Sequence, residues 1–170
     1  MIAVNKPVGV ESQGLVDLFP GTWLWHRLDQ PVSGLQLLGK TPTPIEFRKF
    51  YLAVVHLTPP PGHTLHNNLI HDKRRNISRV HKDGKPSSLT YSITTPGQRS
   101  LIEIELHTGR HHQIRAQLAH LGHPIVNDAK YGGKRNRAKG IALHAYKVIL
   151  PDRELTVPPS SAFFQPFKID

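Results

Sequence analysis

The chain's 170 residues carry 22 Lys plus Arg against 12 Asp plus Glu, a formal charge of +10, and no cysteine. That length supports one domain with a real core, and the charge favours a polyanionic partner, nucleic acid first and an anionic membrane surface second. The missing thiols exclude disulfides, thiolate catalysis and Cys-based zinc sites and fit a reducing cytoplasm, while no apolar run approaches the roughly 20 residues of a bilayer span.

The opening "MIAVNKPVGV" has no long apolar h-region, so no secretory signal is expected. "GLQLL" (34–38) and "KFYLAVVHL" (49–57) read as strands bounded by Pro and Gly clusters. In the second, Tyr51, Ala53, Val55 and Leu57 share one face and Phe50, Leu52, Val54 and His56 the other. The segment 71–86 reads as a basic turn-like loop holding Lys73, Arg74, Arg75, Arg79, Lys82 and Lys85. "SLTYSITT" (88–95) and "LIEIELH" (101–107) form a hairpin pair; Ile102, Ile104 and Leu106 alternate with Glu103, Glu105 and His107, as in a half-buried antiparallel strand. A helix is expected after Thr108 as N-cap, with Ile114, Leu118 and Leu121 as its apolar stripe, Arg115 half-buried at its border, and Gly122 and Pro124 as its stop. A second basic loop, 130–140, holds Lys130, Lys134, Arg135, Arg137 and Lys139, and 140–150 reads as a last strand. Strands outnumber helices without a βαβ rhythm, so the class is α+β with a mostly antiparallel sheet.

The lone acid of "WLWHRLDQPVSGLQLLGK" (23–40) is Asp29. Two roles are open to it. It can form the turn in "DQPVSG" by bonding nearby backbone N–H groups, or it can be a carboxylate held by a cation, for which Arg27 and Arg115 are the candidates. His111, His112, His120 and His123 invite a metal reading, but none pairs with another at i, i+4, so no metal site is expected.

These residues carry a family resemblance. "HRLDQPVSGL" resembles the signature H-R-L-D-x-x-T-S-G-[LV] of the RluA-type pseudouridine synthases, which isomerise uridine in structured RNA. "KFYLAVV" resembles the family's K-x-Y-x-A-x-V strand, "LHAYKVIL" its L-H-A-x-x-[LI], and "NKPVGV" its K-P-x-G opening. "LHTGRHHQIRAQLAHLGHPIVNDAKYGG" resembles a long motif built on T-G-R-x-H-Q-I-R and G-D-x-x-Y-G. Val32 stands where the family usually has Thr, Gln117 where it often has His, and Asn127 where Gly is usual. "GKTPTPIEFR" is shorter than the helical segment that members usually place there.

The resemblance implies a pseudouridine synthase fold, a mostly antiparallel mixed sheet with a few flanking helices and basic loops. It implies a single catalytic domain over 1–170 with no accessory S4 RNA-binding domain. Asp29 matches the catalytic aspartate, attacking ribose C1′ or uracil C6; Tyr51 matches the active-site tyrosine and Arg115 the arginine paired with the aspartate. His26, Arg27, Leu143, Arg110, His112 and Gln113 are implied as substrate-binding residues, Leu143 as an apolar wall of the uracil pocket. Lys73, Arg74, Arg75, Arg79, Lys134, Arg135 and Arg137 are the expected contacts to the RNA backbone. The expected partner is ribosomal or transfer RNA, with no cofactor, no membrane and no obligate protein partner, in a cytoplasmic monomer. The rival reading is a basic RNA-binding domain without chemistry.

Overall fold

A computed structural model describes residues 1–135 and 138–159. In chain order it runs β1 (Ile2–Lys6), α1 (Ser12–Leu18), β2 (Trp23–Leu24), β3 (Ser33–Gly39), β4 (Arg48–His56), β5 (Thr64–Asp72), β6 (Ile77–Val80), β7 (Lys85–Thr95), β8 (Arg99–Leu106), α2 (Gln113–His120), a 3₁₀ turn at Ala129–Tyr131, β9 (Leu143–Ile149) and β10 (Glu154–Thr156). The strands join in one sheet of order β1-β3-β9-β4-β8-β7-β5-β6, with β2 on β3 and β10 on β9. Among the described strands β3–β9 is the parallel pair, and the other pairings are antiparallel. The architecture is the expected α+β.

The centre of the sheet follows from alternation. In β8 each of Ser100, Ile102, Ile104 and Leu106 is buried, and the residues between them are half-exposed. β4 breaks the period, because Ala53, Val54 and Val55 are all at 0% exposure and the strand is covered on both faces. Its register against β9 slips between Phe50 and Tyr51, whose partners are Lys147 and Ala145, so Tyr146 is the extra residue of a bulge. One core face gathers Tyr51, Leu89, Tyr91, Ile102, Ile104, Ile114, Leu118, Ile125 and Leu143. A smaller apolar cluster, Leu35, Leu37, Val148 and Leu150 with Trp25 and Phe47, covers the other.

Five sequence expectations need correction. The 71–86 segment is not a loop: it is the end of β5, a tight turn through Asn76 (φ 51°), all of β6 and the start of β7. Its polar side chains hid strands whose order comes from ladder hydrogen bonds, β5 to β7 and β6 to β5. Helix α2 starts four residues later than expected, behind His112 in the left-handed region (φ 51°). The Thr108 hydroxyl donates instead to Gln113 Oε1 (2.7 Å) and accepts from the Ser88 N–H (3.0 Å), closing the loop before the helix. Arg115 is not half-buried but 4% exposed. β9 is followed by a further strand, β10. Leu57, with φ 62°, ends β4 rather than extending its face.

The parallel contact of β3 with β9 sets where Asp29 stands. Gly34, at φ 115°, lies so close to β9 that an added Cβ would sit 2.1 Å from the Ala145 carbonyl oxygen. No side chain fits there without parting the two strands. Gly34→Ala is expected to lower stability by more than about 2 kcal/mol, from strain and lost pairing together, read as a fall in the urea midpoint.

Candidate active site

Asp29 stands in the turn that leads into β3, and buried groups hold that turn. The Leu28 N–H donates to Ser12 Oγ (3.0 Å), and that hydroxyl lies 2.9 Å from both Leu28 O and Gln36 Oε1. The first residue of α1 thus clamps the residue preceding Asp29. Lys6, fully buried, donates to the carbonyls of Pro7 (3.1 Å) and Val10 (2.8 Å). Burial pulls its pKa down to about 8, and the charge of Asp29 opposes that pull. His26 takes the Leu37 N–H on its Nε2 (3.0 Å), stitching the turn to β3.

Arg115, on α2, joins two carboxylates. Its Nε and Nη2 donate to Asp128 Oδ2 and Oδ1 (2.7 and 2.9 Å), a bidentate pair, and its Nη1 donates to Asp29 Oδ2 (3.0 Å). The Arg115 and Asp128 side chains are 5% and 1% exposed, whereas Asp29 is 27% exposed. Asp128 therefore anchors the guanidinium, and Asp29 presents its carboxylate to the cleft. Among the described residues, side-chain hydrogen bonds reach Asp29 through Oδ2 only. The Tyr131 ring covers the guanidinium, 4.9 Å from its carbon.

His112 lies beside this group. Its Nε2 is 3.8 Å from Asp29 Oδ2, and its Nδ1 is 2.9 Å from the Tyr131 hydroxyl, which accepts the Ser78 N–H at 2.7 Å. Burial first, then the Arg115 charge, pulls the His112 pKa down to about 2, so the ring is neutral. His111 stacks between His112 and His71, with centroids 3.7 and 3.8 Å apart. His71, His111 and His112 form a stacked ladder, and no group of three or more His, Cys, Asp or Glu among the described residues is arranged to hold a metal ion.

One pocket brings together Arg27, Asp29, Tyr51, Arg110, His112, Gln113, Arg115 and Leu143, with Val32 and Ile114 completing its apolar wall. Tyr51 is 5% exposed, and burial, then the Asp29 charge, raises its pKa well above the usual phenol value. Arg27 is exposed and reaches the rim shared with the neighbouring clefts. Gln113 lines the pocket without a polar atom to spare. Its Oε1 accepts from Thr108 Oγ1 and the Arg110 N–H, and its Nε2 donates to Ser88 O and Gln117 Oε1. His26 is not in this pocket; it lines the adjoining groove.

The departures from the family pattern sit quietly. Asn127 adopts φ 69°, a conformation Asn tolerates in place of Gly. Gln117 is buried and donates to Asn67 Oδ1 (2.9 Å), and Val32 is buried in the pocket wall. Of the basic residues, Lys73, Arg74, Arg75 and Arg79 are exposed on the β5–β6 hairpin, and Lys134 and Arg135 are exposed after the 3₁₀ turn. Arg135 lines a cleft that shares Arg115 and Asp128 with the site, while Arg137 lies outside the described residues. Asp128, Tyr131 and Ser12 belong to the site without having been named from the motifs. Asp128 had a signal, as the lone acid in a stretch of histidines and basic residues.

Two imidazoles are held neutral by burial: His112, and His26, which burial and then Lys49 bring down to about 3. The unfolded chain takes up both protons near pH 6.5 and the folded chain does not. Stability is therefore full above about pH 6.5 and is lost as pH falls below it, by at most about 1.4 kcal/mol per pH unit for each ring. Urea midpoints taken between pH 7.5 and pH 5 are expected to fall, with a shallower slope in His112→Phe.

The model of the RNA pseudouridylate synthase family matches residues 21–120. An uncharacterised RNA pseudouridine synthase of Helicobacter pylori is 32% identical over 166 residues, covering 88% of this chain and 67% of that protein. The ribosomal large subunit pseudouridine synthase D of Escherichia coli is 34% identical over 136 residues, covering 71% of this chain and 41% of that protein. Among solved structures, human RNA pseudouridylate synthase domain containing 1 superposes with a TM-score of 0.77 at 25% identity, over 92% of this chain and 79% of that one. Sequence, fold and the grouping of Asp29, Tyr51 and Arg115 agree: the chain belongs to the RNA pseudouridylate synthase family, in its RluA-type branch.

Proposed function

We propose that this protein converts specific uridines of structured ribosomal or transfer RNA to pseudouridine, with Asp29 as the nucleophile. The observation that carries this reading is the Asp29 carboxylate, oriented by Arg115 and partly open to a pocket floored by Tyr51. Asp29 and Asp128 share one guanidinium, so the triad keeps a net negative charge on the side facing substrate. That charge supplies the electron pair for attack at ribose C1′ or uracil C6. The glycosidic bond breaks, uracil turns in the pocket, C5 bonds to C1′, and the C5 proton leaves. No electron is gained or lost and no outside group enters, so the chemistry calls for no cofactor.

The neutral Tyr51 stacks on the uracil and brings its hydroxyl beside the departing proton. Leu143, Val32 and Ile114 form the apolar walls against which the ring can turn. The target must leave its helix to reach Asp29, and Arg27 at the rim is placed to fill the gap. Exposed Lys73, Arg74, Arg75, Arg79, Lys134 and Arg135 would hold the RNA backbone. We assign the activity to a cytoplasmic monomer acting on RNA. A module that only binds RNA has no use for a carboxylate held by a buried arginine and left open to a basic cleft.

Asp29→Asn keeps shape and removes the charge. Tritium release from C5-labelled uridine in RNA is expected to disappear while RNA affinity, read by titration, stays near normal. Native-rate release would overturn the assignment. Arg115→Lys keeps the charge but loses the planar fork that serves both carboxylates at once. Turnover in that variant is expected to fall at least about tenfold, corresponding to 1.4 kcal/mol or more in the barrier, with affinity changed far less.

A further inference from the structure

A groove runs from Asp29 and Tyr51 past Arg27 and Arg110 to His26 and Lys49. Two of its groups are electrostatically unfinished. Lys49 is half-buried, and among the described residues no carboxylate lies in ion-pair reach of Lys49, Arg27 or Arg110. The acid lining the groove, Asp29, is already paired with Arg115. The second unfinished group is His26. Its Nε2 accepts the Leu37 N–H, so in the neutral ring the proton is on Nδ1, and Nδ1 is a buried polar atom without a partner.

A buried donor with no acceptor and a partly desolvated cation with no anion each cost stability. One acceptor-rich anion relieves both. Both groups line the same groove and flank one ring: the Phe47 ring lies 5.6 Å from the His26 ring and 5.8 Å from Lys49 Nζ, and the Lys49 charge acts on the His26 imidazole. Gly109 borders the same place: a Cβ there would touch Lys49 Nζ at an ordinary 3.8 Å, and the next residue is Arg110.

We propose that Lys49, Arg110 and the His26 Nδ1–H form a subsite for a backbone phosphodiester adjoining the target uridine. The assignment rests on the reading of the Asp29 pocket as the uridine site, since the groove shares Asp29, Tyr51, Arg27 and Arg110 with that pocket. A nucleotide seated at Asp29 must lead its ribose-phosphate chain out of the pocket, and this groove gives it a cationic path. Phosphate suits the groove better than a carboxylate, having acceptor oxygens enough to meet an ammonium, a guanidinium and a ring N–H together.

The test uses binding, so an inactive enzyme leaves it intact. A labelled short oligouridylate is titrated by fluorescence anisotropy from about 50 to about 200 mM salt. The proteins are the wild type, Lys49→Met, Lys49→Arg and the exposed, out-of-groove control Lys40→Met. Removing one phosphate contact is expected to lower the slope of log affinity against log salt by about 0.7 in Lys49→Met. Lys49→Arg restores the slope, and Lys40→Met leaves it unchanged. In parallel, ¹⁵N spectra of the His26 ring are expected to show a protonated Nδ1 that shifts on adding oligouridylate to the wild type, and shifts less in Lys49→Met. An unchanged slope in Lys49→Met, an equal fall in Lys40→Met, or a His26 signal indifferent to oligouridylate would overturn the subsite.

Discussion

The buried guanidinium of Arg115 is the interaction on which this structure turns. A cation 4% exposed is tolerable only with compensation in kind, and Asp128 supplies it through a bidentate pair. Once that pair has formed, the direction of Nη1 is no longer free, and Asp29 is oriented by a group that is itself immobile. The division of labour between the carboxylates follows from exposure: the fully buried one is structural, and the partly open one is left for chemistry. Each comes from a separate part of the chain, so the guanidinium also ties the turn before β3 to the loop after α2.

Around this pair the protein suppresses competing charge. His112, within 4 Å of Asp29, is neutral, so it leaves the carboxylate's charge unspent. Tyr51 is likewise held as the phenol. The strong positive potential of the chain comes from residues on the outside, on the β5–β6 hairpin and after the 3₁₀ turn, where it can draw RNA without neutralising the Asp29 carboxylate.

Much of this was legible in the sequence, for reasons that differ by element. β8 was readable because its period of two is clean, and the α2 stripe because Ile114 and Leu118 fall one turn apart. Asp29, Tyr51 and Arg115 were named through motifs, which carry spacing but no depth. Hence Arg115 was placed at a half-buried border, and Gln113 was assigned to substrate although its four hydrogen-bonding positions are all taken by the protein. β5 and β6 were missed because a strand built from Thr, His, Asn and Arg has no hydrophobic alternation to show. α1, seven residues with Gly14 inside, is too short to have a period, yet its Ser12 clamps the catalytic turn. Asp128 eluded the reading because its partner lies 13 residues back, across a helix end, where no local rule applies.

The parallel β3–β9 pairing has a consequence for the life of the chain before it is folded. Ser33 and Gly34 find their partners in His144 and Ala145, and Asp29 finds Arg115 at a sequence separation of 86. Contacts of such span are closed late, since the entropy of bringing distant segments together must be met before they give anything back. During synthesis, the hairpins of β5 to β8 can form behind the ribosome while the strand that Asp29 leads into, paired with β1 and β2, still lacks β9. A nascent chain can therefore carry its basic hairpin into contact with RNA well before it owns an oriented nucleophile. Attraction precedes reactivity, and the interval between them is the time taken to translate from the β5–β6 hairpin to β9.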